Sequence, residues 1–312
     1  MIVKILFFCQ FLTIFAVNLN LKPRQQIDEV NSKKLFWSPI KDKDEFRLID
    51  VTQDAVIIGA RDHVYQLSHS TLSPDNTIEW PTPAQVAEEC QMKGRPASEC
   101  HNFIRVVAKR KNDHLLVCGT HAFSPQCREY EYSMREGGYK SRRDFNGKAI
   151  TPYHPRANFT YVYSTETNEI LVATVSDFNG NDPLIYKKRI PSGDSLRTQK
   201  DDLRVLDHPD FVGSFSFGQY MYIFFRERAA ESSEDQIYSR VGRVCKNDRG
   251  GPGTTQDRWS SFLKVRLNCS IAADVPFYFN ELQSISRPVL QEDGDHLIYG
   301  VFSTSRSAQF TF

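Results

Sequence analysis

Cysteine is the residue type that carries the clearest chemistry in this sequence. Six of the seven cysteines lie beyond the first twenty residues, and an even number in an oxidising compartment favours disulfide bonds. Cys90 and Cys100 enclose a short stretch with a glycine and a proline, as do Cys118 and Cys127, so each pair could close a local turn. The remaining two are Cys245 and Cys269. No Cys-x-x-Cys occurs, so neither a zinc site nor a redox motif is expected.

The sequence contains none of the common enzymatic motifs. It has no Gly-x-Ser-x-Gly, no His-Glu-x-x-His, no Walker loop and no Gly-x-Gly-x-x-Gly. The eight histidines are scattered singly, whereas a metal site needs three or four converging ligands. The oxygen-rich stretch 177–182 lacks the spacing of an EF-hand and is interpreted as a glycine-containing turn. We therefore expect no catalytic residue, no metal site and no cofactor.

Two sequons and one basic stretch are the other candidate sites. Asn158, followed by Phe-Thr, and Asn268, followed by Cys-Ser, become glycan acceptors in a secreted chain. A solvated loop is the default interpretation of a short basic run, and the alternatives are a glycosaminoglycan contact or a processing-protease site. The basic residues are Lys140, Arg142, Arg143 and Lys148.

The N-terminus predicts the compartment. Lys4 supplies a positive charge, residues 5–17 form a short apolar core, and a polar stretch follows, which together are typical of a secretory signal peptide. We assign residues 1–20 to this segment, with cleavage somewhere between 17 and 22; the short core disfavours a signal anchor. The 312-residue chain has 39 basic and 38 acidic residues, so nothing in its bulk charge indicates nucleic-acid binding.

The mature chain has the periodicity of β-strands. Short runs rich in Val, Ile, Tyr and Phe end at Gly, Asn-Gly, Asp-Gly or Pro. One pattern recurs, in which an apolar run ends at a small residue and a turn and a second strand follow. Its copies begin at Ala55, His114, Glu169, Tyr220 and His296, with spacings of 59, 55, 51 and 76 residues. Such spacings suit a β-propeller with insertions, and an irregular β-sandwich is the alternative.

Several segments resemble the sema domain of semaphorins. The two cysteine loops carry the strongest similarity, and the match extends over roughly residues 45–304. The matching strings are GARDHVY (59–65), CQMKG (90–94), ECHNFIRV (99–106), CGTHAFSPQC (118–127), DFVGS (210–214), FFRE (224–227), SRVGRVCKND (239–248), 259–269 and FYFNELQS (277–284).

The resemblance implies an all-β fold, a β-propeller of seven blades when complete. Residues 21–312 would then form the N-terminal portion of the domain, with about four blades, incomplete at the C-terminus as in a fragment, a partial gene model or a truncated isoform. It also implies disulfides Cys90–Cys100 and Cys118–Cys127. The family's counterparts of Cys245 and Cys269 pair with cysteines farther along, so their partners would lie outside this chain.

The resemblance further implies a non-enzymatic extracellular ligand of axon guidance and cell migration, secreted or held at the plasma membrane. It would bind plexin-type receptors through propeller loops and form a homodimer when complete. The candidate contact residues, chosen because they link two strand groups near mid-chain, are His208, Asp210, Gly213 and Ser214; alternatively, Phe211 and Val212 simply pack in the core. Other hypotheses are a plexin-like receptor domain, a non-signalling decoy, and an extracellular enzyme on a propeller.

Overall fold

The computed structural model describes residues 3–9, 45–52, 55–232, 235–272, 274 and 276–304. Within them the fold is almost entirely β, with one α-helix of two and a half turns, α1 (Ala84–Met92). Four consecutive sheets of four antiparallel strands each are followed by a fifth sheet, and the five form the blades of a β-propeller. The predicted all-β propeller is confirmed, and the β-sandwich is excluded.

Strand β1 (Val3–Cys9) belongs to the fifth sheet, and each of the next four blades follows the chain order from its inner to its outer strand. The first blade contains β2 (Leu48–Val51), β3 (Ala55–Gly59), β4 (His63–Ser68) and β5 (Pro74–Glu79). The second contains β6 (Ile104–Lys109), β7 (His114–Gly119), β8 (Gln126–Ser133) and β9 (Gly138–Asn146).

The third blade contains β10 (Thr160–Ser164), β11 (Glu169–Val175), β12 (Pro183–Arg189) and β13 (Ser195–Arg197). The fourth contains β14 (Asp210–Phe217), β15 (Tyr220–Arg228), β16 (Ile237–Cys245) and β17 (Leu263–Arg266). A short hairpin, β18 (Ser270–Ile271) and β19 (Phe277–Tyr278), leads to the fifth blade, which contains β20 (Glu281–Ile285), β21 (Val289–Leu290) and β22 (His296–Ser303).

The structure has five blades where the sequence predicted about four. Ala55, His114, Glu169, Tyr220 and His296 each begin the second strand of a different blade. Counting one blade for each of the five copies of the apolar pattern gives the observed number. In this sheet β22 pairs with β20 and β21 on one side and with β1, in parallel, on the other.

The second strands are continuously apolar because both of their faces are buried. Consecutive residues point to opposite sides of a strand, so Leu116 of β7 packs between the second and third blades while Val117 packs between the first and second. Four such clusters join the five blades in succession. The other second-strand residues that show this division are Ile170 and Leu171 of β11, and Phe224 and Phe225 of β15.

The prediction that residues 1–20 are a signal peptide and that 21–312 are a sema domain stays a prediction. Residues 10–44 and 305–312 lie outside the described part of the chain. The described part does contain the backbone of β1, which falls within the predicted signal segment.

Candidate recognition face

One face of the propeller carries the long connections between blades, and we call it the recognition face. Because neighbouring strands are antiparallel, the start of each inner strand lies beside the loop between the second and third strands of the same blade. Contacts between these loops from different blades confirm that they share one face. The segments of this face that matter below are 80–103, 120–125, 147–159, 176–182 and 198–209.

Both predicted local disulfides are present on this face. Cys90 is bonded to Cys100 and Cys118 to Cys127, which confirms the two pairings. All four cysteines are at least 98% buried, so the bonds brace the loops from within. Cys245, the last residue of β16, is a partly buried free cysteine. Its predicted pairing outside the chain stays a prediction. Cys269, which is buried between the fourth and fifth blades, is disulfide-bonded in this structure, and this disagrees with the predicted pairing of Cys269 outside the chain.

The predicted contact segment begins in the connection before β14. The His208 imidazole is 68% exposed, with Nδ1 at 2.6 Å from a carboxylate oxygen of Asp207. Phe211 is 4% exposed and packs between the third and fourth blades, while Val212 packs against the next cluster. The alternative that these two side chains belong to the core is therefore confirmed, and only the polar residues of the segment are candidates for contact with a partner.

Asp210 connects three blades. Its two carboxylate oxygens accept hydrogen bonds from the amide nitrogen of Asn158, just before the third blade, and from the guanidinium of Arg226 in the fourth. Arg226 also donates from Nη1 to the Leu282 carbonyl of the fifth blade at 2.8 Å. The carboxylate is therefore engaged inside the protein.

Gly213 and Ser214 also make contacts between blades. A Cβ on Gly213 would lie 2.8 Å from Cγ1 of Ile285, so glycine permits the close approach of β14 to β20. The Ser214 hydroxyl lies 2.7 Å from the Thr160 hydroxyl across the boundary between the third and fourth blades. Of the four predicted contact residues, the structure leaves His208 free to meet a partner and places the other three in the framework beneath it.

A groove of about 410 Å³ opens beside His208. Residues 180–183 of the β11–β12 loop form one wall, and residues 199–209 form the other. Asp182 ties the first wall to the end of β13, just before the second wall begins, since its Oδ1 accepts from Nη2 of Arg197 at 2.6 Å. Burial alone raises the pKa of Asp182, but hydrogen bonds from Arg197 and Ser176 outweigh it and hold the pKa below its ordinary value.

A buried carboxylate anchors the second wall. Glu227 of β15 is 1% exposed, and it accepts hydrogen bonds from Arg240 Nε, Lys264 Nζ and the backbone N–H of Asp207. Lys264 also donates to the Val205 carbonyl at 2.9 Å. Burial lowers the pKa of Lys264, and the Glu227 carboxylate opposes that shift. The pair fixes residues 205–207 to the fourth blade, directly before His208.

Arg105 of β6 was not singled out from the sequence, yet it holds another loop of this face. Its two Nη atoms donate to the carbonyls of Pro155 and Ala157 at 2.6 and 2.8 Å, just before the Asn158 sequon. Burial, with a further contribution from the Arg47 charge, lowers the pKa of Arg105 to about 10. The acceptors are backbone carbonyls some 50 residues away in sequence, so no side-chain pattern could have identified the contact.

The remaining predicted sites lie on the surface. Asn158 and Asn268 are both exposed, as glycan acceptors must be, and their modification stays a prediction.

The basic stretch lies on and just after β9, the outer strand of the second blade. Three of its side chains pair with carboxylates: Lys140 with Glu136, Arg142 with Glu131 and Arg143 with Glu129. This pairing leaves little free positive charge for a glycosaminoglycan.

Within the described ranges, no group of three or more His, Cys, Asp or Glu side chains is arranged to hold a metal ion. None of the helices in that part of the chain combines the length and apolar character needed to cross a membrane.

Comparison with known proteins gives one consistent family. No model of a known protein family matches the chain. Semaphorin-1A of Schistocerca americana is 42% identical over 269 residues, which are 84% of this chain and 36% of that protein. Among solved structures, Drosophila Semaphorin 1b, extracellular domains 1-2, matches with a TM-score of 0.78 and 42% identity over 85% of this chain and 50% of that one.

Two further solved structures contain plexins. Drosophila Plexin A in complex with Semaphorin 1b matches with a TM-score of 0.78 and 41% identity, over 85% of this chain and 50% of the matched one. The extracellular region of Plexin A4 matches with a TM-score of 0.57 and 17% identity over 85% of this chain and 30% of that one, a likeness of fold alone. The chain thus spans half or less of the proteins that it resembles.

Proposed function

We propose a function from one premise: the chain belongs to the semaphorin family. Its propeller is the receptor-binding part of an extracellular ligand that engages a plexin-type receptor, in axon guidance and cell migration. As part of the same proposal, residues 1–20, which include β1, direct secretion and are removed. Residues 21–312 contribute to a sema domain, and the complete protein is secreted or held at the plasma membrane and forms a homodimer. Binding, with no cofactor and no catalysed reaction, is its activity.

One observation carries the proposal. The region that this chain shares with Semaphorin 1b is the region matched in a solved complex of that protein with Plexin A. The identity to the two Semaphorin 1b structures is 41–42%, whereas the identity to Plexin A4 is 17%, which favours the ligand over a receptor-side sema domain. A rigid scaffold with recognition loops on one face is the physical form that such a ligand needs.

Within that face we assign the receptor contact to His208 and the groove beside it. His208 is exposed at the edge of an open groove, and both walls are fixed by internal ion pairs. Preformed walls lower the entropy lost on binding. Asp210, Gly213 and Ser214 act in this proposal by holding β14 in place against its neighbours.

The test is a binding measurement on the secreted chain, with a plexin ectodomain and a semaphorin ectodomain as separate probes. We expect His208→Glu to weaken plexin binding about tenfold or more, the loss typical of a contact worth over 1.4 kcal/mol. His69→Glu is the matched control, because His69 is exposed in the β4–β5 turn on the opposite face. Binding to the semaphorin probe alone would assign the chain to the receptor side, and plexin binding without signalling would make it a decoy.

A further inference from the structure

Arg95 lies where loops from three blades meet. It belongs to the 80–103 connection, inside the loop closed by the Cys90–Cys100 disulfide. Its guanidinium carbon is 4.5 Å from the ring centre of Phe123 and 4.6 Å from that of Phe178. Phe123 comes from the β7–β8 loop and Phe178 from the β11–β12 loop. One cation therefore joins the first connection of the recognition face to loops of the second and third blades.

The surroundings hold both rings in place. Phe123 is 4% exposed and packs in one apolar cluster with Cys90 and Cys100. Phe178 is partly buried against this cluster, and its ring centre is 5.5 Å from that of Phe123. A guanidinium is flat and can stack on aromatic rings, whereas an ammonium is a compact, strongly hydrated charge. The site is thus built for arginine, and it fixes Phe178 through a contact that the β11–β12 loop cannot make alone.

Phe178 belongs to the loop whose far end forms a wall of the groove. The loop 176–182 is closed by the Ser176 N–H, which donates to the Asp182 carbonyl at 2.9 Å, and by the Asp182 N–H, which donates to Asp177 Oδ1 at 2.8 Å. Residues 180–183, at the far end of the same loop, line the groove beside His208. Because the loop is short and internally bonded, the position of Phe178 at its near end constrains the wall at its far end.

We propose that Arg95 is a positioning residue for receptor recognition. By holding Phe178 against the braced cluster, it keeps the 176–183 loop in the form in which its far end completes the groove. Arg95 acts through Phe178 and the loop, and the receptor contact itself remains with His208 and the groove. The proposal rests on the proposed function. It assigns the Cys90–Cys100 loop, which lies between the first and second blades, a role in ordering the groove wall of the third blade.

The first test is amide hydrogen exchange of the secreted chain, which reports loop order without any receptor. In Arg95→Leu we expect exchange across 176–182 to accelerate about tenfold while strands β11 and β12 keep wild-type protection. Arg95→Lys, which keeps the charge but not the flat stacking group, should give a smaller acceleration. Arg156→Leu is the matched control, since Arg156 is an exposed arginine of the same face, and it should exchange like wild type. Wild-type exchange of the loop in Arg95→Leu would overturn the proposal.

The second test measures plexin affinity of the same variants. We expect Arg95→Leu to raise Kd several-fold, Arg95→Lys to recover part of the loss, and Arg156→Leu to bind like wild type. Accelerated loop exchange with unchanged affinity would overturn the positioning role. If the unmodified chain binds no plexin, the proposed function fails, while the exchange result still decides whether Arg95 orders the loop.

Phe178→Leu is a second variant for the case in which Arg95→Leu is poorly secreted. It removes the same stacking contact from the other side, so it should reproduce both effects. Combining it with Arg95→Leu should add little to the loop exchange rate, because the two changes break one interaction. Fully additive effects would show that the two residues act separately and would overturn the proposal.

Discussion

The carboxylate of Asp210 accepts hydrogen bonds from Asn158 and Arg226, so a mutation of Asp210 should lower the stability of the fold. Its side chain is 30% exposed and that of Arg226 is 21% exposed, so their ion pair is only partly screened by water. We expect Asp210→Ala to lower the free energy of unfolding by about 1–2 kcal/mol, because Asn158 and Arg226 each lose an acceptor. Thermal or denaturant unfolding measures the loss.

Asp202→Ala provides the comparison for Asp210. Asp202 pairs with Arg204, whose side chain is 87% exposed, so water screens this surface pair and its contribution to stability is small. The unfolding free energy should therefore change less than in Asp210→Ala. If Asp210→Ala instead keeps its stability and loses plexin binding, Asp210 belongs to the contact surface and not to the framework.

At the residue scale, sequence reasoning succeeded where partners are close in sequence and failed where they are distant. The two disulfides join cysteines that are 10 and 9 positions apart, so each pair could close a local turn, and the family resemblance implied the same pairing. Asp210 and Asn158 are 52 positions apart, and Arg226 and Leu282 are 56 apart. Those contacts depend on how blades pack, which no local pattern encodes.

At the scale of elements, one buried carboxylate attaches a groove wall to its blade. Glu227 faces Arg240 and Lys264, whose side chains are 7% and 15% exposed. Glu227→Gln leaves both cations without their shared charge partner, and breaking such a buried pair typically costs about 3–5 kcal/mol. We expect a loss of this size in denaturant unfolding, together with faster hydrogen exchange in residues 205–208.

Glu231→Gln is the matched control for this change. Glu231 also accepts hydrogen bonds from Arg240, at 2.6 and 2.8 Å, but its side chain is 54% exposed. Its removal should therefore cost about 1 kcal/mol or less. If the two substitutions lowered the free energy of unfolding equally, burial would not be the cause of the large contribution of Glu227 to stability.

The groove wall that contains Asp182 should loosen in acid. The pKa of Asp182 lies below its ordinary value of 3.8, so ionised Asp182 stabilises the folded loop above that pH, and the contribution is lost as pH falls through the folded-state pKa. We expect loop exchange, corrected for the intrinsic pH dependence of amide exchange, to stay constant from neutral pH to about pH 5 and to rise below about pH 4. Asp182→Asn should remove this acid dependence, and an unchanged acid profile in that variant would assign the loosening to another group.

The elements themselves were predictable to different degrees. Every apolar run marked in the sequence proved to be the second strand of a blade, because a strand buried on both faces must be continuously apolar. Outer strands have no such signal: β9 is polar and mostly exposed, and β13 has three residues. Blade number therefore follows from the count of second strands, which is five, and the prediction of about four blades fell one short.

At the scale of the whole molecule, each blade is stabilised by packing against its neighbours. Each boundary from the first blade to the fifth is filled by a buried apolar cluster, so the blades depend on their neighbours as repeats in an array do. Between the first and fifth blades the described contact is of another kind. Arg287, which follows β20, forms an ion pair with Asp50 of β2, 237 positions earlier.

The two kinds of boundary should differ sharply in strength. The Arg287 side chain is 75% exposed, so Asp50→Asn should lower the free energy of unfolding by less than about 1 kcal/mol. Ile170 is fully buried between the second and third blades, and Ile170→Ala should cost about 2–5 kcal/mol through lost burial and the cavity left behind. Denaturant unfolding of the two variants measures both values. A loss in Asp50→Asn as large as that in Ile170→Ala would mean that the ion pair, and not apolar packing, holds the first and last blades in register.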